Sequence, residues 1–317
     1  MLLIWPTPPP WPTLVARSSS WVHCDLIHQD SLMRTAPDRG RNVERGLVTT
    51  FRVIGPGRAG RSLMSALDAT GGFQSLGALG RGDPLAGAAV GVDLLVIATP
   101  DSQVGRVSAM VAPVEGTVVI HLSGSLGLDA LATHRRRGSL HPLMPLPTPA
   151  IGAQRLRSGI TFAVAGDPMT TSVAGALGGR VVEVDDPQRP AYHAAATIAA
   201  NHLVALVGQV ERVATSIGLP LDAFADLMRA ATDDALALGP RRALTGPASR
   251  GDWDTVDRHR RALSSMAGHR TELAAYDAMV GLARRLSMEA APASDPVVKT
   301  GPEPAGGPDG LDAEQVA

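Results

Sequence analysis

The sequence predicts an α/β doubly wound domain followed by an all-helical domain. Three observations carry that expectation. The run VDLLVIATP (residues 92–100) is continuously apolar, as a strand buried on both faces of a parallel sheet must be. A short apolar strand, Phe51–Ile54, runs through a glycine turn into a helical pattern marked by Leu63 and Leu67. After Asp186 the strand-like runs stop, and long alanine-rich segments of helical period replace them.

The remaining elements follow in order. FQSLGALG (73–80) reads as the second strand, TVVIHLSG (117–124) as the one after the long apolar run, and SQVGRVSAMVA (102–112) as the helix between them. LGLDALATHRRRG (126–138) reads as a helix, its basic residues and glycine suiting a C-terminus. GSLHP (138–142), ITFAVAG (160–166) and RVVEVDD (180–186) read as short strands, with a helix over 167–179 between the last two. Strands alternating with helices place the α/β domain at 48–186. The helical domain, taken at 187–288, begins with a long segment in which Pro190 suits the first turn. Residues 1–47 are expected to be a disordered or mis-assigned extension, with Met33 or a codon near Val48 as the start, and 289–317 a disordered tail.

Composition narrows the function. A formal net charge of −1 gives no bulk attraction to nucleic acid or to an anionic membrane. No stretch has the length and apolar continuity of a membrane span. Cys24 is the only cysteine, so no internal disulfide can form and a reducing, cytoplasmic setting is expected. Lys299 is the only lysine and lies in the tail, so a lysine base in a folded site is effectively excluded. The other cations are arginines, which hold their protons too tightly to shuttle them. No metal-ligand set is assigned.

GPGRAG places Gly55, Gly57 and Gly60 at G-x-G-x-x-G spacing between a strand and a helix. The first glycine permits the turn, the second lets backbone approach a pyrophosphate, and the third allows helix and strand to pack closely. Pro56, Arg58 and Ala59 complete this cofactor loop. NAD sites usually carry an acid at the end of the second strand, but here Arg81 comes first and Asp83 two residues later. An arginine there suits a 2′-phosphate, so NADP is expected, with NAD possible through Asp83. Thr99 and Pro100, at the carboxyl end of the buried strand, fall where the nicotinamide end should lie. Asp101 and Ser102 could instead simply cap the next helix.

Taken together, VIGPGRAG, LLVIATPDS, HLSGSLGLDAL, GSLHPL, YHAAATIAANHLVAL and LTGPASRGDWDTV resemble bacterial proteins described as a Rossmann-like domain followed by domain of unknown function 2520. The resemblance covers about residues 48–286. That architecture is similar to the 6-phosphogluconate dehydrogenase-like group, with its ketopantoate reductases, pyrroline-5-carboxylate reductases and prephenate dehydrogenases. It implies a Rossmann-type domain, a 6-phosphogluconate dehydrogenase C-terminal-like helical domain and a nicotinamide oxidoreductase. It does not name the substrate.

In many such enzymes the interdomain helix carries a catalytic lysine with an asparagine one turn later. Here Asn201 is present, and Thr197 stands one turn before it. His121, His141 and His193 are then the candidates to move a proton. In prephenate dehydrogenases a His-Pro at the place of His141 acts on the substrate hydroxyl, with a serine nearby, which Ser123 or Ser125 would supply. The alternative for His141 is a hydrogen bond that caps the strand end. His193, Thr197 and Asn201 fall within roughly 80° of one helical face, where an asparagine can hold a substrate oxygen; His202 points away. Arg250, in the rigid loop LTGPASRGD, is expected to bind an acidic substrate group or else to pair with Asp252.

These residues point to hydride transfer between nicotinamide and a small keto acid, hydroxy acid or imine held between the domains. The alternative is a dinucleotide-binding sensor or scaffold without redox chemistry, which the missing lysine favours. Alanine-rich helices in the second domain suggest a homodimer.

Overall fold

The computed structural model describes residues 48–266 and 270–289. The expected extension over 1–47 and, apart from Glu289, the tail over 289–317 lie outside the described residues, and Cys24 and Lys299 with them.

Seven strands form one sheet: β1 (Thr49–Ile54), β2 (Phe73–Leu79), β3 (Leu94–Ile97), β4 (Val118–His121), β5 (Arg137–Pro142), β6 (Thr161–Gly166) and β7 (Arg180–Glu183). Their order is β2-β1-β3-β4-β5-β6-β7. The first five are mutually parallel, β6 runs antiparallel to β5, and β7 is parallel to β6. The sheet is therefore of the expected doubly wound class, with one reversal that the strand patterns did not announce. Between β5 and β6 the chain forms α3 (Pro149–Leu156), a helix not expected from the sequence, and between β6 and β7 it forms α4 (Met169–Ala176), where a helix is expected. Thr148 caps α3 by accepting from the Ile151 amide, and Pro149 follows at the first position.

Alternation along the strands divides the core. Phe51, Val53, Leu94, Val96, Val118, Ile120 and Leu140 face one side, where Leu63 and Leu67 of α1 (Arg58–Asp68) and Leu156 of α3 cover them. Ser62 of α1 abuts Gly152 of α3, so the two helices approach through small residues. Ile54, Leu95, Ile97 and Val119 face the other side against Val104 of α2 (Asp101–Met110) and Leu131. On that same face stand His121, Ser139 and His141, since each is offset by one residue from Ile120 or Leu140.

The helix expected over 126–138 is reduced to a single 3₁₀ turn, Leu128–Leu131. Side chains beyond it bond to α2 instead: His134 Nε2 lies 3.2 Å from the Ser108 carbonyl oxygen, and Thr133 Oγ1 lies 3.2 Å from Ser108 Oγ. Those ties hold 132–136 in the short path that β5 requires, where a longer helix would overrun it.

Among the described residues no strand follows β7, and the chain becomes helical. A 3₁₀ turn, Asp186–Gln188, leads into α5 (Arg189–Thr197), a π turn (Ile198–His202) and α6 (Leu203–Ser216) as one continuous rod. Then come a 3₁₀ turn (Leu221–Phe224), α7 (Ala225–Leu238), two short helices, α8 (Pro240–Ala243) and α9 (Pro247–Arg250), and finally α10 (Trp253–Ser265) and α11 (Arg270–Met288). Of these, α9 lies in the segment LTGPASRGD, read as a loop around Arg250. Glu272 of α11 is almost fully buried and accepts from Arg212 Nε at 2.5 Å, tying α11 to α6. Among the described residues no helix is long and apolar enough to cross a membrane.

Candidate active site at the carboxyl edge of the sheet

Strands β1, β3, β4 and β5 all end on one edge, and the glycine loop and the candidate histidines and serines assemble there. Gly55 closes β1 with φ +99°, a conformation that favours glycine, and a Cβ on it would stand 2.7 Å from the Ala98 carbonyl oxygen. A Cβ on Gly60 would collide with the Gly55 carbonyl oxygen. Around Gly57, by contrast, a Cβ would meet nothing within 4 Å. Gly57 is also the N-cap of α1 and supplies no side-chain cap, so the first amides of the helix have no side-chain acceptor from the cap. Two glycines tight and the middle one open is the arrangement a pyrophosphate needs. Neighbouring β3 ends at Ile97, and two residues on the Thr99 Oγ1 is buried without a hydrogen-bond partner among the described residues. β1 lies between β2 and β3, so the strand order reverses here, and a ligand crevice is expected outside such a point. The residues present fit a dinucleotide.

Beyond β2, Arg58 and Arg81 are exposed. Asp83 turns back, and its Oδ2 accepts from the Gly80 amide at 2.7 Å. The acid that an NAD ribose would require is thus committed to the turn. Arg81 is the solvent-facing charge beside it.

The second part of the site is built on the loop after β4. Asp101, in the first turn of α2, makes no capping bond; its Oδ2 accepts from Ser123 Oγ at 2.7 Å and Ser125 Oγ at 2.6 Å. Ser123 Oγ also accepts from the amides of Ser125 and Leu126. The two serines therefore shape the loop, and their protons point to Asp101. His121, fully buried, accepts from the Ser123 amide at Nδ1 and lies 3.3 Å from the Gly127 carbonyl oxygen at Nε2. Burial, reinforced by the nearby Arg189 charge, pushes its pKa down to about 4 and keeps it neutral.

His141 stands near the end of β5, with Nδ1 2.6 Å from the hydroxyl of Tyr192 on α5. Its ring centroid is 6.1 Å from that of His193, edge to face. Gly124 makes the approach possible: a Cβ there would lie 2.8 Å from His141 Cε1 and 2.9 Å from His193 Cδ2. Burial, then the His193 and Arg189 charges, push the pKa of His141 down to about 4. Burial pushes the Tyr192 hydroxyl up to about 12. At neutral pH the pair is uncharged, and His141 is present as the neutral imidazole.

The structure thus gathers His121, Ser123, Ser125, His141 and His193 at one edge, near the glycine loop and Thr99–Pro100. Asn201 falls within the π turn and is exposed, with His202 exposed beside it. Arg250 is exposed at the end of α9, where Nη1 donates to the Thr245 carbonyl of its own loop. It also helps hold the Asp252 carboxyl below its usual range, after the bonds from Thr255. Three participants escaped sequence reasoning: Tyr192, Gly124 and Arg189. Tyr192 adjoins a candidate histidine at the start of a helix, a signal that could have raised it. The other two carry no local pattern.

The family model described as Domain of unknown function (DUF2520) matches residues 159–282. The fold is shared with a Thermotoga maritima protein at 24% identity, over 75% of this chain and 98% of that one, with a TM-score of 0.58. It is shared as well with a Bacteroides fragilis protein provisionally described as an NADP oxidoreductase, at 20% identity, over 75% and 98% of the two chains, with a TM-score of 0.62. A reductive aminase from Aspergillus terreus, in complex with NADPH4, cyclohexanone and allyl amine, aligns at 13% identity over 75% and 94%, with a TM-score of 0.55. No curated protein matches the chain.

Proposed function

We propose that this chain, whose residues 159–282 match the DUF2520 model, is an NADP-dependent oxidoreductase acting on a small keto acid, hydroxy acid or imine. The observation that carries the reading is the uncharged His141–Tyr192 pair, set at the same sheet edge as a glycine loop with an open middle position. The fold neighbours described as an NADP oxidoreductase and a reductive aminase support it. Gly55–Gly60 would hold the pyrophosphate, Arg81 and Arg58 a 2′-phosphate, and Thr99 and Pro100 the nicotinamide side. When bound, the nicotinamide supplies or accepts the hydride.

The protein's own part is the proton. With the Tyr192 hydroxyl donating to Nδ1, Nε2–H of His141 is a donor to a substrate oxygen or imine nitrogen. With the other tautomer, Nε2 accepts a proton from a hydroxyl. The raised pKa of Tyr192 keeps its proton on oxygen, so the hydroxyl orients the imidazole by a hydrogen bond and does not itself ionise. Asp101 fixes the loop that carries Ser123 and Gly124 under the two histidines. This arrangement removes the need for the lysine that the chain lacks.

Incubating the protein with NADPH and a panel of keto acids and imines tests the reading. Substrate-dependent loss of nicotinamide absorbance is expected; cofactor binding without turnover across the panel favours the sensor instead.

The helical region supports a second proposal, that two copies associate. Leu236 is 82% exposed, Val204 72%, Leu227 67% and Ile198 58%, apolar side chains on the helices that a second copy would cover. A second copy is the occupant we assign, and sedimentation should find a dimer; monomer alone at micromolar concentration contradicts it.

A further inference from the structure

Arg189 opens α5 with its side chain fully buried, at 0% relative exposure. A guanidinium cannot escape burial by losing its proton, so its N–H groups need acceptors. Nε has one: it donates to Asp186 Oδ1 at 3.2 Å. The other oxygen of that carboxylate accepts from the Leu128 amide at 2.9 Å. Nη1 and Nη2 are both buried and make no hydrogen bond among the described residues. Asp186 is 39% exposed at its side chain, so it compensates the buried charge only in part. Leaving charged donors dry and unanswered is among the costlier things a fold can do, and it persists where the partner is supplied from outside.

The open edge defines that partner. With Nε taken, two terminal N–H groups remain side by side, a fork that matches the two oxygens of a carboxylate. The location is equally specific. Tyr192, bonded to His141, follows Arg189 on the same helix α5, and the Asp186 carboxylate that holds Nε lies against Gly127, whose carbonyl oxygen is 3.3 Å from His121 Nε2, so Arg189 belongs to the same side-chain cluster as the pair assigned to proton transfer. Ser139, in register with His121 on the neighbouring strand, likewise has a buried Oγ without a partner. Arg250, the arginine that the sequence pattern singles out, is turned onto its own loop.

We propose that Arg189 is the receptor for a carboxylate on the substrate, held through Nη1 and Nη2, and that the site therefore takes a carboxylic acid in preference to a neutral carbonyl compound or amine. This rests on the oxidoreductase reading of the same site. Both nitrogens are closed to solvent, so an anion reaches them only by local opening of the packing around Arg189, where Gly127 lies against the Asp186 carboxylate.

The test uses the full chain, pyruvate as the carboxylate probe and pyruvamide as its uncharged counterpart, followed by ligand-observed NMR with and without NADPH. Pyruvate is expected to bind about tenfold or more tightly than pyruvamide, and Arg189→Lys, which keeps charge but loses the fork, to weaken pyruvate by a similar factor. Equal binding of the two probes, no pyruvate binding at tens of millimolar, or unchanged binding by folded Arg189→Lys overturns the proposal. Should that variant not fold, a crystal of the wild-type chain soaked with pyruvate decides. Carboxylate oxygens on Nη1 and Nη2 support the assignment, and water or a protein group there overturns it. Failure of NADPH to bind while pyruvate still binds counts against the oxidoreductase reading and not against the anion site.

Discussion

The Tyr192 hydroxyl lies 2.6 Å from Nδ1 of His141, a bond that joins the first helix after the sheet to its fifth strand. Positions 51 apart in sequence thereby form one proton-handling unit. Substitution at either end should lower turnover and leave cofactor binding intact. His141→Ala is expected to cost about 10²–10⁴ in kcat, the range for losing a general acid or base. Tyr192→Phe keeps the ring, removes only the hydroxyl and should cost less, roughly tenfold. Steady-state kinetics beside a nicotinamide titration checks both; a full-rate His141→Ala enzyme removes the central residue.

Gly124 gives a sharper probe of the same geometry. A single methyl there would press on His141 Cε1 and His193 Cδ2 at under 3 Å. Gly124→Ala should therefore displace the rings, lowering kcat at least tenfold for a stability cost of about 1–3 kcal/mol. Thermal unfolding and kinetics on one preparation separate the two effects. Normal turnover by this variant contradicts the ring arrangement.

The cofactor loop predicts opposite behaviour for two neighbouring glycines. Gly60→Ala drives a methyl into the Gly55 carbonyl and should destabilise the fold by about 1–3 kcal/mol. Gly57→Ala meets only open space, so its melting temperature should stay within a few degrees of wild type. Yet its methyl occupies the path of a pyrophosphate, and affinity for NADPH should fall about tenfold or more. Differential scanning calorimetry paired with cofactor titration reads both; unimpaired cofactor affinity in Gly57→Ala counts against binding at this loop.

Stability should depend on pH through His121 and His141. Both rings titrate near 6.5 when unfolded, and burial lowers both to about 4 in the folded chain. As pH falls the unfolded state takes up protons first, so this contribution is complete above about pH 6.5 and is lost between there and about pH 4. Each ring accounts for on the order of 3 kcal/mol at full protonation. Urea midpoints measured from pH 7.5 to 4 should decline across that window, and His121→Gln should flatten the decline. A midpoint constant to pH 4.5 contradicts the buried neutral state.

Much of this architecture is legible along the chain because its signals are local. Within VDLLVIATP the strand residues LLVI are all apolar because β3 is covered on both faces, and GPGRAG carries its turn within six residues. The helix expected over 126–138 shows the limit: its composition suits a helix, but His134 and Thr133 find partners on α2 that composition cannot announce. The reversal at β6 has the same origin, since strand direction depends on where α3 carries the chain. At the site, His141 and Ser123 stand out by residue type and neighbours. Gly124 matters only because two rings from elsewhere converge on it, and Arg189 only because burial leaves two of its nitrogens unanswered.

The most direct test of the account is a titration of the full chain with NADPH and NADH, followed by nicotinamide fluorescence, with Arg81→Ala alongside. Tight binding that prefers NADPH, with the preference reduced in Arg81→Ala, is the predicted result. Binding of neither nucleotide would contradict the claim that this sheet edge is built for a dinucleotide, and the proposed oxidoreductase activity would fall with it.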